Sequence, residues 1–214
     1  WVFGQSQYAF LSDGRVVFAY GRDGLDHLAV LSSDGRTADL DVPYTSVSSV
    51  QAAGDRVVFI GASATAEPAV VSLHLAPAAG GVGAAPAGEA EILRPPRDLG
   101  VDPAWFSQPE AVDFPTSGGR TAHALYYPPT NPEATPPPGE LPPLLVVIHG
   151  GPTAAARPML QVGIQYWTSR GFGVVDVNYG GSTGYGRAHR EQLRGTRGIL
   201  HLDDCEAARR CLGP

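Results

Sequence analysis

The chain has no lysine: all fifteen of its basic residues are arginine. Alongside abundant Ala, Gly and Pro, this points to a GC-rich coding sequence rather than to a chemical adaptation. Twenty-one acidic residues outnumber the arginines, giving a formal net charge of −6. The chain also lacks a basic cluster, which argues against nucleic acid or an anionic membrane surface as a partner. Cysteine is scarce. Cys205 and Cys211 stand six positions apart in a stretch that reads as helix, which rotates them to different faces and disfavours a disulfide. A reducing, cytoplasmic compartment is therefore the expectation. No apolar run approaches the ~18 residues a membrane span needs. The chain begins at Trp1, with no initiator Met and no signal-peptide pattern, and so reads as an internal piece of a longer soluble protein.

What is present is globular: 43% of the 214 residues are hydrophobic, enough to bury a core in one large domain or two small ones. Residues 1–95 read as short strands separated by turns. Tyr8-Ala9-Phe10-Leu11, then Ser12-Asp13-Gly14, then Arg15-Val16-Val17-Phe18-Ala19-Tyr20 is a hairpin pattern, because Asp-Gly readily takes the positive φ of a tight turn. A further strand, His27 to Leu31, runs into Asp34-Gly35. Arg15-Val16-Val17-Phe18 recurs 41 positions later as Arg56-Val57-Val58-Phe59, and Leu28-Ala29-Val30 is echoed by Ala69-Val70-Val71. That period lies in the range of a β-propeller blade, about 40 to 50 residues. A β-sandwich is the alternative.

Ala76 to Ala90 is an Ala/Gly/Pro tract with too little apolar surface to offset its own ordering, and reads as a flexible loop insertion in a blade. From Pro109 the pattern changes. Ala111 to Pro115, a Ser117-Gly118-Gly119 turn and Thr121 to Tyr127 form another hairpin, followed by a Pro-rich loop from Pro128 to Pro143. After Pro152 helix and strand alternate, which predicts a mainly parallel, covered sheet. A helix is expected over Val162 to Arg170, with Ile164, Tyr166 and Trp167 as its apolar bulk and Gly171 as its stop. Residues 173–179 read as a strand. Asp203 and Glu206 read as a capping box opening a helix that packs through Cys205, Ala208 and Leu212.

The chemistry concentrates in two places. Leu144-Leu145-Val146-Val147-Ile148 is a buried-strand run that stops on His149-Gly150-Gly151-Pro152. Gly173-Val174-Val175-Asp176-Val177-Asn178-Tyr179 opens into Gly180-Gly181-Ser182-Thr183-Gly184-Tyr185-Gly186. Together they resemble the first half of the catalytic domain of the prolyl oligopeptidase family of serine peptidases, especially its acylaminoacyl-peptidase-like and dipeptidyl-peptidase-like branches. The resemblance implies β-propeller blades over 1–95, a junction with hairpin and Pro-rich loop over 96–143, and an α/β-hydrolase core over 144–214 that stops before the nucleophile elbow. It also implies that the Gly151 N–H is an oxyanion donor and that His149, Gly150 and Pro152 shape its loop, because α/β-hydrolases take one donor from this loop and one from the residue after the nucleophile.

Gly180-x-Ser182-x-Gly184 matches the G-x-S-x-G elbow, and Ser182 is the tempting nucleophile. An elbow turns directly into a helix, whereas Gly184-Tyr185-Gly186 prolongs a loop. The resembling motif reads Asn-Tyr-Arg-Gly-Ser, and Gly180 in place of that Arg creates the match. Ser182 is therefore read as a loop-ordering hydroxyl outside any elbow, with no His–carboxylate pair at its side. His123 reads as a structural histidine in a strand. His189 and His201 have no zinc-ligand spacing, and the Gly-rich loops lack the Lys-Ser/Thr of a phosphate-binding loop, so neither metal nor cofactor is expected. The resemblance implies a peptidase that acts on short peptides through an acyl-enzyme, its Ser, Asp and His lying beyond Pro214, so that this chain alone is inactive. An esterase of the same fold or a non-catalytic binding module are the alternatives.

Overall fold

The structure, a computed structural model, describes residues 4–75, 87–151, 153–196 and 198–213. It divides into two compact units, Trp1–Arg97 and Asp98–Pro214.

The first unit is two four-stranded antiparallel meanders. β1 (Tyr8–Phe10), β2 (Val16–Arg22), β3 (Leu25–Leu31) and β4 (Thr37–Leu40) lie in sequence order in one sheet; β5 (Ser46–Ala53), β6 (Arg56–Ser63), β7 (Ala66–Leu75) and β8 (Ala87–Arg94) do so in the other. The tight turns fall where Asp-Gly predicts them, and β1 pairs β2 with Phe10 opposite Val16. Most of the expected Ala76–Ala90 insertion lies outside the described residues; its last four belong to β8 instead.

One apolar core joins the two sheets, with Val17, Leu28 and Val30 from the first meeting Val57, Phe59 and Val71 from the second. The 41-residue echo falls on β2 and β6, the second strand of each sheet. Yet Val17 is buried while its counterpart Val58 is half-buried, and Val57 and Phe59 take the interior. Side chains alternate along a strand, so the buried face has switched. Radial repetition accounts for this: each blade turns one face to the blade before and the other to the blade after, so two neighbours bury opposite faces of equivalent strands. Asp26 ties the sheets further, its carboxylate accepting from Val47 N–H at 3.0 Å.

In the second unit β9 (Glu110–Thr116) and β10 (Arg120–Tyr127) form the expected hairpin, followed by β11 (Leu144–Ile148), α1 (Val162–Thr168), β12 (Gly173–Asn178), α2 (Gly186–Glu191) and α3 (Ile199–Leu212). The sheet order is β11-β12-β10-β9. Only β11 and β12 run parallel, so the expected mainly parallel sheet is corrected to a mixed one. The reason is connectivity: the β9–β10 hairpin precedes the first helical crossover, and β12 pairs antiparallel with β10, its second strand. Every residue of β12 is buried. Val174 faces the α1 side, while Val175, Val177 and Tyr179 pack with Phe114 and Ala208 of α3 on the other. Coverage on both faces explains the continuous apolar run. β11 is the sheet edge, with Val146, Val147 and Ile148 exposed.

Two helical expectations change. α1 buries Ile164, Gln165 and Thr168, whereas Tyr166 and Trp167 are 51% and 42% exposed. Gln165 is inward because its amide exchanges hydrogen bonds with the Ser107 backbone, at 2.7 Å and 3.2 Å. The Pro-rich loop satisfies the end of α1, through Thr130 N–H to Thr168 O and the Asn131 amide to Ser169 O. α3 begins at Ile199 rather than Asp203, so the capping box does not form. Glu206 instead pairs with Arg209 and Arg210 along the helix, and Asp204 is drawn into the buried face by the partners described next.

Candidate active-site loop and its clamp

β11 delivers the chain to His149 at the end of the sheet. Gly151 then takes φ +147°, a backbone conformation that L side chains rarely adopt. A Cβ there would also meet Thr153 N at 3.1 Å and Ala154 N at 3.2 Å, so glycine is required locally. The His149 Nδ1 lies 2.9 Å from Gly150 O. A carbonyl can only accept, so Nδ1 carries the proton and donates. Pro152 lies outside the described residues.

The segment Asn178–Thr183 grips this loop at four points. Ser182 Oγ is 2.7 Å from His149 Nε2. Tyr179 Oη donates to His149 O at 3.1 Å, and the two rings stack 4.5 Å apart. Thr183 N–H donates to Ala154 O at 2.9 Å. The buried Asn178 side chain accepts from Ala156 N–H at 2.8 Å and donates to Tyr185 Oη at 3.0 Å. Burial pulls the His149 imidazole below its ordinary pKa, which favours the neutral ring.

Ser182 thus has a histidine within hydrogen-bond reach, a partner the sequence did not suggest. Among the described residues no carboxylate orients that histidine: its second nitrogen is held by Gly150 O, with Tyr179 Oη a distant 3.4 Å. Ser182 is also fully buried, and it sits in a turn four residues before α2 rather than at a helix N-terminus. The geometry is that of a hydroxyl ordering a loop. An activated nucleophile needs an oriented base and access to substrate.

Beneath the same turn lies a network that sequence reading missed. Asp204 is fully buried and accepts from Thr116 Oγ1 at 2.6 Å, Gly180 N–H at 2.8 Å and Arg120 Nη2 at 3.0 Å. The Arg120 guanidinium lies 3.1 Å from where a Cβ on Gly180 would sit. A large side chain at position 180 would have to displace it. A signal was present: Leu200, Asp204 and Ala208 follow the i, i+4, i+8 spacing of one helix face, and a carboxylate on an apolar face requires partners.

His123 is confirmed in a strand, its Nδ1 2.6 Å from Asp113 and its ring stacked on Tyr185 at 4.0 Å. His189 donates to Tyr179 O at 3.0 Å. The His201 ring lies 4.1 Å from that of Tyr179. Among the described residues no group of three or more His, Cys, Asp or Glu is placed to hold a metal ion, and no helix is long and apolar enough to cross a membrane.

A cavity of about 800 Å³ lies along β11, lined by Val147, Ile148, Met159, Gln161, Trp167 and Asp176 among others. Burial pushes the Asp176 carboxyl up to about 6, against a hydrogen bond with Gln161 that lowers it. A raised carboxyl binds its proton more tightly folded than unfolded, so the contribution of this group to stability is fully present below pH 4 and is lost as pH rises through 4 to 6. The loss above pH 6 is at most about 3 kcal/mol from a shift of 3.8 to about 6. Asp176→Asn is expected to be more stable than the parent at pH 8 and equal to it near pH 4. Urea unfolding at the two pH values measures this; an unchanged difference would show that Asp176 ionises freely.

These features, two propeller-blade sheets followed by the first part of an α/β-hydrolase domain with a His-Gly-Gly loop, define a serine-peptidase fold. Residues 158–213 match the Prolyl oligopeptidase family. A 67-residue stretch is 34% identical to the acylamino-acid-releasing enzyme of Arabidopsis thaliana, covering 31% of this chain and 9% of that protein. A puromycin-hydrolyzing peptidase of Mycobacterium tuberculosis is 40% identical, with a TM-score of 0.88 over 99% of this chain and 32% of its own. A puromycin hydrolase is 38% identical, with a TM-score of 0.86 over 98% and 30%. The chain is similar to these solved peptidases over nearly its whole length, and spans about a third of theirs.

Proposed function

We propose that this chain is the part of a serine peptidase that supplies one oxyanion donor, the Gly151 N–H, for the hydrolysis of short peptides through an acyl-enzyme. The nucleophilic serine, aspartate and histidine come from sequence outside residues 1–214, and the chain alone has no hydrolase activity. The observation that carries this reading is the backbone at Gly151. It sits just past the end of β11, at φ +147°, with the preceding carbonyl tied back to His149. In a trans peptide the C=O and the following N–H point in opposite directions, so the Gly151 N–H is turned away from the ring. A donor fixed in advance where negative charge develops lowers the barrier without reorganising during the reaction.

Support for an amide substrate comes from the relatives, two of which hydrolyse puromycin and one of which releases acylamino acids. Peptide substrate is the proposed partner; neither nucleic acid nor membrane is. The test uses the full-length protein. A fluorophosphonate should label one serine and abolish cleavage of aminoacyl anilides, while residues 1–214 alone remain unlabelled. Cleavage of esters without amides would instead make it an esterase of the same fold.

A further inference from the structure

We infer that Arg120 is a positioning residue for the Gly151 loop, reaching from β10 into the space where a side chain at position 180 would stand, an inference that rests on the oxyanion role proposed for Gly151. Gly180 has no positive φ, so its backbone does not itself require glycine. The three atoms nearest to a Cβ there are side-chain ends: Gln192 Oε1 at 2.7 Å, Arg120 Nη1 at 3.1 Å and Leu200 Cδ2 at 3.2 Å. The glycine is therefore matched to its neighbours. In the motif that this segment resembles, Asn-Tyr-Arg-Gly-Ser, an arginine stands at that position. Here the guanidinium arrives from β10 instead.

That guanidinium holds the anchor of the turn. Asp204 accepts from Arg120 through both carboxylate oxygens, at 3.0 Å and 3.4 Å, and the second of these oxygens also accepts the Gly180 N–H at 2.8 Å. Arg120 donates further to Gln192 Oε1 at 3.2 Å and to Ser117 Oγ at 3.1 Å. A buried carboxylate left without its cation is strongly unfavourable, so the pair keeps the acceptor in place under the turn. Gly181 N–H adds a second tie, to His189 O at 3.0 Å. The same turn then meets the oxyanion loop, with Ser182 Oγ 2.7 Å from His149 Nε2 and Thr183 N–H donating to Ala154 O at 2.9 Å. Arg120 thus fixes the near end of a short segment whose far end holds the loop that carries Gly151.

The test compares Arg120→Ala, Gly180→Arg and the double variant Arg120→Ala/Gly180→Arg in the full-length protein, by kcat and KM for an aminoacyl anilide and by melting temperature. Arg120→Ala removes the cation and Gly180→Arg sets two guanidinium groups in one space, so each alone should lower kcat about tenfold with KM changed by less than about twofold. In the double variant one arginine again serves one site. Its kcat should return to within about threefold of the parent, at least about tenfold above the product of the two single effects, and its melting temperature should recover with it. An unchanged kcat in Arg120→Ala, single effects that multiply, or a melting temperature that recovers while kcat does not, overturns the role of Arg120. If a single variant does not fold, the double variant decides: a folded one with near-parent kcat supports the inference, and an unfolded or inactive one overturns it. If the parent protein hydrolyses nothing, the proposed function fails, and the melting temperatures alone decide whether Arg120 and position 180 share one site: recovery in the double variant supports it, and additive losses overturn it.

Discussion

Gly151→Ala is expected to lower kcat of the full-length enzyme by about 10²- to 10³-fold with little change in KM, the size of effect seen when one oxyanion donor is lost. Two features make this position intolerant. Its φ of +147° is strained for any L side chain, and an added Cβ would press on Thr153 N and Ala154 N at 3.1 Å and 3.2 Å. Relief requires the 150–151 peptide to rotate, which carries the N–H off the developing oxyanion. In the role proposed for Gly151 the interaction is made only in the transition state, so the loss should appear in kcat and kcat/KM together. Steady-state kinetics at a temperature where circular dichroism shows the variant folded would establish it; a variant within about threefold of the parent would remove Gly151 from the oxyanion hole.

Asp204→Ala should be the most damaging single change to stability, lowering it by about 3 to 5 kcal/mol, the usual consequence of breaking a buried ion pair from one side. The carboxylate gathers Thr116 from the end of β9, Arg120 from β10 and the Gly180 N–H from the turn after β12. Its removal leaves the buried Gly180 N–H without its acceptor and the Arg120 guanidinium without its charge partner, held only by Gln192 Oε1 and Ser117 Oγ. Because Gly180 opens the turn that carries Ser182, the alanine variant should also loosen the loop clamp. Urea unfolding measures the first effect. A loss below about 1 kcal/mol would show that water replaces the carboxylate.

Those two residues show how far the sequence could be read. The turn at Gly151 was legible because a strand ending in His-Gly-Gly-Pro is a local pattern, and the glycine that follows β11 takes φ +147°. The blade sheets were legible from Asp-Gly turns and the 41-residue echo, although which face each strand buries was not. That depends on which neighbouring sheet it meets. Asp204 went unread because the Asp203–Glu206 spacing fits a helix start as well as a helix interior, and α3 in fact begins at Ile199. Its partners Thr116, Arg120 and Gly180 lie 88, 84 and 24 positions away. The Ser182–His149 contact escaped for the same reason, spanning 33 positions between two loops that come together only once β11 and β12 pair. Long-range polar partners are set by sheet order, and a local pattern carries little of that order.

The claim that this chain holds a donor and not the nucleophile is tested most directly by locating the fluorophosphonate adduct in the labelled full-length protein by peptide mass. The account predicts an adduct on a serine outside residues 1–214, formed to the same final extent in Ser182→Ala. An adduct on Ser182, lost in that variant, would contradict it and make the His149–Ser182 pair the catalytic centre.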